Sequence, residues 1–245
     1  MSEGRSETGT RTRKGVDLPG LDGGRAGWRA RVLSRSLSRP AQRSIERSAL
    51  FVDAARALIE ERASAGFTIQ EVADRAGQSL RTFYQHFESK DDVILAVYEE
   101  FFDERVTHAK AHVEEHDDPL DRLAALLIGA SDLPNLEPTP LEVALSHFRY
   151  QLLQTNPDEV CAIEDQYEML VRQMVQEAVA AGRLDRCDPD ASAYFLASVK
   201  NEYYFGGFIL AKRLTPALPT VVEMARFCMR GLGSDLPRSF DSDAQ

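Results

Sequence analysis

Between Thr68 and Lys90 the chain reads TIQEVADRAGQSLRTFYQHFESK, a spacing of caps, glycine and aromatic residues that leaves little choice of local structure. Thr68 is a good N-cap, Glu71 three residues on completes a capping-box spacing, and Ile69, Val72, Ala73 and Ala76 form the apolar stripe of a short helix. Gly77 ends that helix, because glycine adopts a left-handed backbone where other residues meet a steric penalty. Ser79 caps a second helix that starts near Leu80. On it Phe83 and Phe87, four apart, lock into a core, while Arg81, Thr82, Gln85 and His86 stay on other faces. Two short amphipathic helices joined by a Gly-containing turn are the makings of a helix-turn-helix DNA reader. Ser89-Lys90-Asp91-Asp92, a cap with acids in the first turn, then opens a long helix through Val93, Leu95, Val97, Phe101 and Phe102.

Upstream, Arg43 to Ala65 reads as a helix with Ile45, Ala49, Leu50, Ala54, Ala55 and Leu58 as its inward stripe, which completes a three-helix domain. Residues 1–42 are rich in Gly, Ser and Arg and are broken by Pro19, Gly20, Gly23 and Gly24, so they are expected to be a disordered basic arm. Arg29, Arg31, Arg35 and Arg39 end that arm; it either follows a DNA backbone or is a solvated tail. The net charge of −10 opposes DNA binding only until it is divided along the chain. Lys plus Arg against Asp plus Glu number 9 and 4 in residues 1–42, 7 and 7 in residues 43–90, and 13 and 28 in residues 91–245. A neutral head behind a basic arm suits phosphate contact, and an acidic body is held away from DNA by repulsion.

The run from Thr68 on, extended through DDVILAV, resembles the DNA-binding domain of TetR-type bacterial transcriptional regulators, and the resemblance covers Arg43 to Phe102. Gln78 stands where that pattern usually has a small apolar residue, and Arg81 where it often has glycine. Carried over by position, the resemblance implies that Thr68, Thr82, Tyr84, His86 and Lys90 hold DNA phosphates. Ser79, Leu80, Arg81 and Gln85 then lie at or near the major groove, and Arg43 and Gln78 complete the DNA-facing set. Hydroxyl, imidazole and ammonium groups donate to phosphate oxygens, whereas Arg and Gln bind guanine or adenine edges in a bidentate way. Arg81 is the first candidate for reading sequence; the alternative is an ion pair with an acid such as Asp74. For Tyr84 and His86 the alternative is packing near the domain surface.

Beyond residue 90 the pattern is nearly all helix, with candidates at 90–116, 118–131, 140–154, 158–181, 189–212 and 219–232 separated by Pro, Asn and Gly turn signals. The expected fold is all-α: an N-terminal three-helix helix-turn-helix domain over 43–90, joined to a larger C-terminal helical bundle over 91–235 for ligand binding and dimerisation, with a disordered tail at 236–245. Helix 189–212 is apolar around too much of its circumference for one wet face, and its adjacent glycines each cost roughly 1 kcal/mol relative to Ala, which suggests close approach by another helix. In TetR-type proteins the last two long helices form a four-helix dimer contact. The resemblance therefore implies a homodimer, with Tyr204, Gly206, Gly207, Phe208 and Phe227 as candidate contacts. It also implies an effector cavity for a small apolar or amphipathic molecule, for which Phe102, Leu127, Phe148, Tyr150, Leu152, Tyr167, Leu170, Val171, Met174, Phe195 and Tyr203 are candidate lining residues. Aromatic and aliphatic stripes at helical spacing are more often core than pocket.

Other chemistry finds little support. His108, His112 and His116 sit at i, i+4 and i+8, but the charged neighbours Lys110, Glu114, Glu115 and Asp117 read as a solvated helix end, so no metal and no cofactor are assigned. Cys161, Cys187 and Cys228 are far apart and read as small buried hydrophobes. There is no glycine-rich phosphate loop, nucleophile elbow or zincin motif, so an enzyme is not expected. The polar first residues and the lack of long apolar runs point to the cytoplasm. Two functions remain: a sequence-specific regulator, a repressor released from a palindromic operator by a ligand, or a DNA-binding dimer whose body binds a protein partner.

Overall fold

A computed structural model describes residues 39–129, 139–184, 187–206 and 219–240. Among the described residues all regular structure is helical. The order is α1 Arg39–Arg62, α2 Ile69–Arg75, α3 Leu80–Phe83, α4 Lys90–Glu114, α5 Pro119–Ile128, α6 Pro140–Thr155, α7 Pro157–Ala180, α8 Pro189–Asn201 continuing as a π-helical turn Glu202–Gly206, and α9 Val221–Gly231. No described helix is long and apolar enough to cross a membrane.

Local chemistry sets most of these starts. Thr68, Thr139 and Thr220 each open a helix with a complete capping box, closed by Glu71, Glu142 and Glu223. Proline at the first helical position, where no amide is required, opens α5, α6, α7 and α8.

The head is α1, α2 and α3. Its core is aromatic: Phe51 of α1 meets Phe83 edge-on at 5.3 Å and Phe87 at 6.2 Å between ring centroids. The inward stripe of α1 is Ser48, Phe51, Val52, Ala54, Ala55, Leu58 and Ile59, which keeps the expected Ala54, Ala55 and Leu58 and adds Phe51, Val52 and Ile59. Leu50, expected inside, is 43% exposed, because the rings it would have to meet lie on the Phe51 side. The chain is already helical at Arg39, inside the stretch read as a basic arm; residues 1–38 lie outside the described residues.

The body packs around α4, which touches α1, α5, α6 and α7. Tyr98, fully buried on α4, donates to Glu164 at 2.7 Å, and Arg149 holds the same carboxylate with two bonds of 2.7 and 2.8 Å. This network joins α4, α6 and α7, with the carboxylate's charge met in place.

The C-terminal half departs from expectation in two places. The helix expected to run from 189 to 212 is α-helical only to Asn201 and then widens into the π-turn, with 207–212 outside the described residues. The widened turn sends adjacent tyrosines in two directions: Tyr203 donates to the Pro219 carbonyl at 2.8 Å, Tyr204 to the Ile128 carbonyl at 3.3 Å. Nor does the chain become a tail at residue 236, since Leu236 is buried and Arg238–Phe240 form a 3-10 turn against α5. Among the cysteines, Cys228 is buried as expected, but Cys161 is exposed.

Candidate nucleic-acid interface

The turn between α2 and α3 is a Schellman motif. Gln78 N–H bonds the Ala73 carbonyl at 2.9 Å and Gly77 N–H the Asp74 carbonyl at 3.1 Å, with Gly77 at φ +64°. Ser79 then caps α3 by accepting from the Thr82 amide at 3.1 Å, and its hydroxyl lies 2.8 Å from that of Thr82. Phe83 and Phe87 anchor one side of α3 in the core, which turns the remaining side chains outward.

Arg81, Gln85 and Tyr84 are exposed there, Tyr84 to 58%, and none of their polar side-chain atoms has a partner within the described residues. The Asp74 carboxylate that was the alternative partner for Arg81 is taken by the Gln70 amide at 2.6 Å. Leu80 is exposed beside them, Gln78 half-buried, and Arg43 exposed on α1. The structure thus gathers unpaired guanidinium, amide and phenol groups on α3 and on the turn that follows it from Tyr84, where the sequence predicts helix as far as Phe87. They are the donor set that reads base edges and holds phosphates.

Three expected phosphate ligands are engaged elsewhere. The Thr68 hydroxyl is bound into its capping box, 3.0 Å from Glu71, and Glu71 is in turn gripped by Arg62 at 2.5 Å. Arg62 and the Thr68 bonds together hold the Glu71 carboxyl down at about 2. His86 turns Nδ1 inward to Ser48 at 3.2 Å, and desolvation, with Arg47 nearby, lowers its pKa. Lys90, expected at a phosphate, instead donates to the Ala65 carbonyl and sits 4.5 Å from the Phe67 ring centroid. Its ammonium anchors the middle of the α1–α2 loop, and partial burial lowers its pKa. The sequence gives no sign of this, because the loop that receives Lys90 is brought there only by the packing of α1 on α4.

The candidate effector residues divide. Phe102, Leu127, Leu152, Tyr167, Leu170, Val171 and Met174 are buried side by side as core, and Tyr167 donates to the Leu126 carbonyl at 3.0 Å. Phe148 and Tyr203 are half-buried, Tyr150 is at the surface, and Phe195 is 64% exposed. Open space lies instead along α4. A cleft of about 430 Å³ is bounded by Ala63, Lys90, Ile94, His147, Phe148 and Gln151. Another of about 490 Å³ lies between Arg56 and Glu60 of α1, Phe101, Glu104, Arg105 and His108 of α4, and Thr139 to Glu142. Across the second cleft Arg56 clamps Glu104 with bonds of 2.7 and 2.9 Å, a bond that raises the arginine's pKa further. Of the expected dimer contacts, Phe227 is 71% exposed, Tyr204 turns inward beneath the Arg105 guanidinium, the backbone of Gly206 ends the π-turn, and Gly207 and Phe208 lie outside the described residues.

Comparison with known proteins agrees with this geometry. Residues 51–97 match the family model for bacterial regulatory proteins, tetR family. No curated protein matches the chain in sequence. Among solved structures, RolR in complex with resorcinol is 19% identical, with a TM-score of 0.58 over 82% of this chain and 94% of that one. The fatty acid degradation regulator FadR from Bacillus halodurans is 16% identical, with a TM-score of 0.55 over 76% and 93%. A TetR/AcrR-family regulator from Thermobifida fusca is 22% identical, with a TM-score of 0.53 over 76% and 96%. At these identities the likenesses show the fold; the helix-turn-helix match, with the outward-facing α3, identifies residues 51–97 as a DNA-binding segment of the kind found in bacterial regulatory proteins of the tetR family.

Proposed function

We propose that this regulator is a cytoplasmic, dimeric repressor that a small amphipathic molecule releases from a palindromic operator. The observation that carries the reading is the 490 Å³ cleft, because head and body meet across it at the Arg56–Glu104 clamp. A ligand seated there competes for that clamp, tilts α1 against α4, and changes the separation of two recognition helices that must lie about one DNA turn apart. The lining combines the apolar Phe101, Pro140 and Leu141 with the cationic Arg56 and Arg105, which suits a molecule with an apolar part and a polar or anionic end. RolR, similar in fold, binds resorcinol, a molecule of that general character.

For the dimer, support comes from exposed apolar side chains on the last helices: Met169 on α7, Tyr194 and Phe195 on α8, and Phe227 on α9. Phe195, first a candidate for the effector cavity, fits this face better. Light scattering of the intact chain and of Phe227→Glu tests the dimer, which the variant is expected to weaken. For release, operator DNA is followed by fluorescence anisotropy while phenolic and acyl compounds are titrated. Release in the wild type together with a weakened response in Glu104→Gln supports the cleft. Equal operator affinity with and without every compound that raises the melting temperature would remove the repressor reading.

A further inference from the structure

We propose that the C-terminal end of α4 is a binding site for a divalent transition-metal ion of the zinc type, held by His112, Glu115 and His116. One ligand atom from each of the three lies within 4.8 Å of the others. His112 Nδ1 is already 3.2 Å from the Glu115 carboxylate, and the two imidazole rings stand nearly perpendicular with centroids 5.4 Å apart. His116 Nε2 is shielded from solvent and has no hydrogen-bond partner among the described residues. A buried ring nitrogen without a partner forfeits a hydrogen bond, and a metal ion is one group that satisfies it.

The sequence places His108, His112 and His116 at helical spacing, where no metal is expected. His108, one turn earlier, is exposed and lines the cleft at Arg56 instead. Glu115 takes its place because α4 ends at Glu114: the next residues leave the helical path, with Glu115 N–H on the His112 carbonyl and His116 N–H on that of Val113. That turn folds Glu115 and His116 back towards His112.

Electrostatics favours a cation at this point. The last turn of a helix carries the negative end of its dipole. Glu114, Asp117 and Asp118 are adjacent in sequence, and among the described residues only Asp118 has a guanidinium partner, Arg183 at 2.9 Å. Two imidazoles and one carboxylate form a donor set for zinc rather than for magnesium or calcium, which prefer all-oxygen sites. Zinc bonds of about 2.0–2.2 Å require the three ligand atoms to close by roughly 1 Å, within reach of side-chain rotation on an exposed Glu115. The ring of His116 also packs against Phe240, tilted by 53° with centroids 5.1 Å apart, so a bound ion ties the 3-10 turn of the C-terminal segment to α4.

The test uses the untagged full chain, titrated with zinc chloride by calorimetry and with cobalt(II) by its visible absorption. The expected result is one ion per chain with a dissociation constant of about 10 µM or tighter, weakened about tenfold or more by Glu115→Gln and by His116→Gln. His108→Gln is expected to bind as the wild type does. Melting with and without zinc should show a rise in the wild type that His116→Gln lacks, which also reports whether the variants fold. Dissociation above about 1 mM, unchanged binding in both Glu115→Gln and His116→Gln, or loss of binding in His108→Gln alone overturns the proposal.

Discussion

His86 Nδ1 lies 3.2 Å from the Ser48 hydroxyl, and that hydroxyl gives its one proton to the Ser44 carbonyl at 2.7 Å. The Ser44 hydroxyl lies 3.4 Å from the same nitrogen, so Nδ1 faces two serines and either neutral tautomer is satisfied there. A neutral ring donates from one nitrogen only. Only the imidazolium donates from both nitrogens, and desolvation, with help from Arg47, lowers the pKa at which it forms. Operator affinity should therefore rise as pH falls from 7.5 towards 5.5, with a proton taken up on binding. Anisotropy across that range, repeated with His86→Phe, checks this: the variant should lose the trend. Because the fold favours the neutral ring, the same residue destabilises the free protein below the unfolded pKa of about 6.5.

Arg81 is exposed and unpaired on α3, so Arg81→Ala should leave stability unchanged. It should remove discrimination at one base position, worth about 1–3 kcal/mol, with little change in non-specific binding. Competition with a set of singly substituted operators measures this. Uniform weakening across all of them would make Arg81 a phosphate contact.

Lys90→Met is expected to lower the melting temperature through loss of the Ala65 and Phe67 contacts, while the salt dependence of operator binding stays as in the wild type. A phosphate ligand would instead reduce the slope of log affinity against log salt by about 1. Melting curves and a salt titration on the same preparation separate the two.

Lys200 is buried on α8 with its ammonium directed at the Leu126 carbonyl and beside the Tyr167 and Tyr204 rings. Desolvation, with Arg105 adding to it, pushes its pKa well down. The unfolded chain therefore binds a proton that the folded chain holds less tightly. Stability should rise with pH from the lowered folded value up to the unfolded value of about 10.4, and should be weakest below that window. Lys200→Met should flatten this slope and raise the melting temperature by roughly 2–4 °C per kcal/mol of removed desolvation, since Tyr167 still holds the Leu126 carbonyl.

Gly77→Ala meets no neighbouring atom within 4 Å but places a side chain at φ +64°. The expected cost is about 1–2 kcal/mol from the backbone alone, read by denaturant melting.

What the sequence made legible is what a few neighbouring residues decide. Thr68 and Glu71, Ser79 and Thr82, and Ser89 and Asp92 close their bonds within three residues, so the starts of α2, α3 and α4 could be read directly. The stripe of α1 could be read only in part: Ala54, Ala55 and Leu58 are inside as expected, but Phe51 rather than Leu50 is inside only once Phe83 and Phe87 arrive from beyond the turn. The inward turns of Lys90 and His86 have the same origin: their partners Ala65 and Ser48 are distant in sequence. The effector residues were illegible for another reason. Aromatic and aliphatic side chains at helical spacing line a cavity or fill a core with the same pattern, and here Leu127, Val171 and Met174 fill one.

The head is fastened to α4 at two places, where Lys90 reaches back to Ala65 and where Glu104 receives Arg56. Fourteen residues of helix separate them, roughly 21 Å at 1.5 Å per residue. On the reading proposed above, opening the Arg56–Glu104 latch would leave Lys90 as the pivot, and a small opening at Glu104 would turn the head about the first turn of α4.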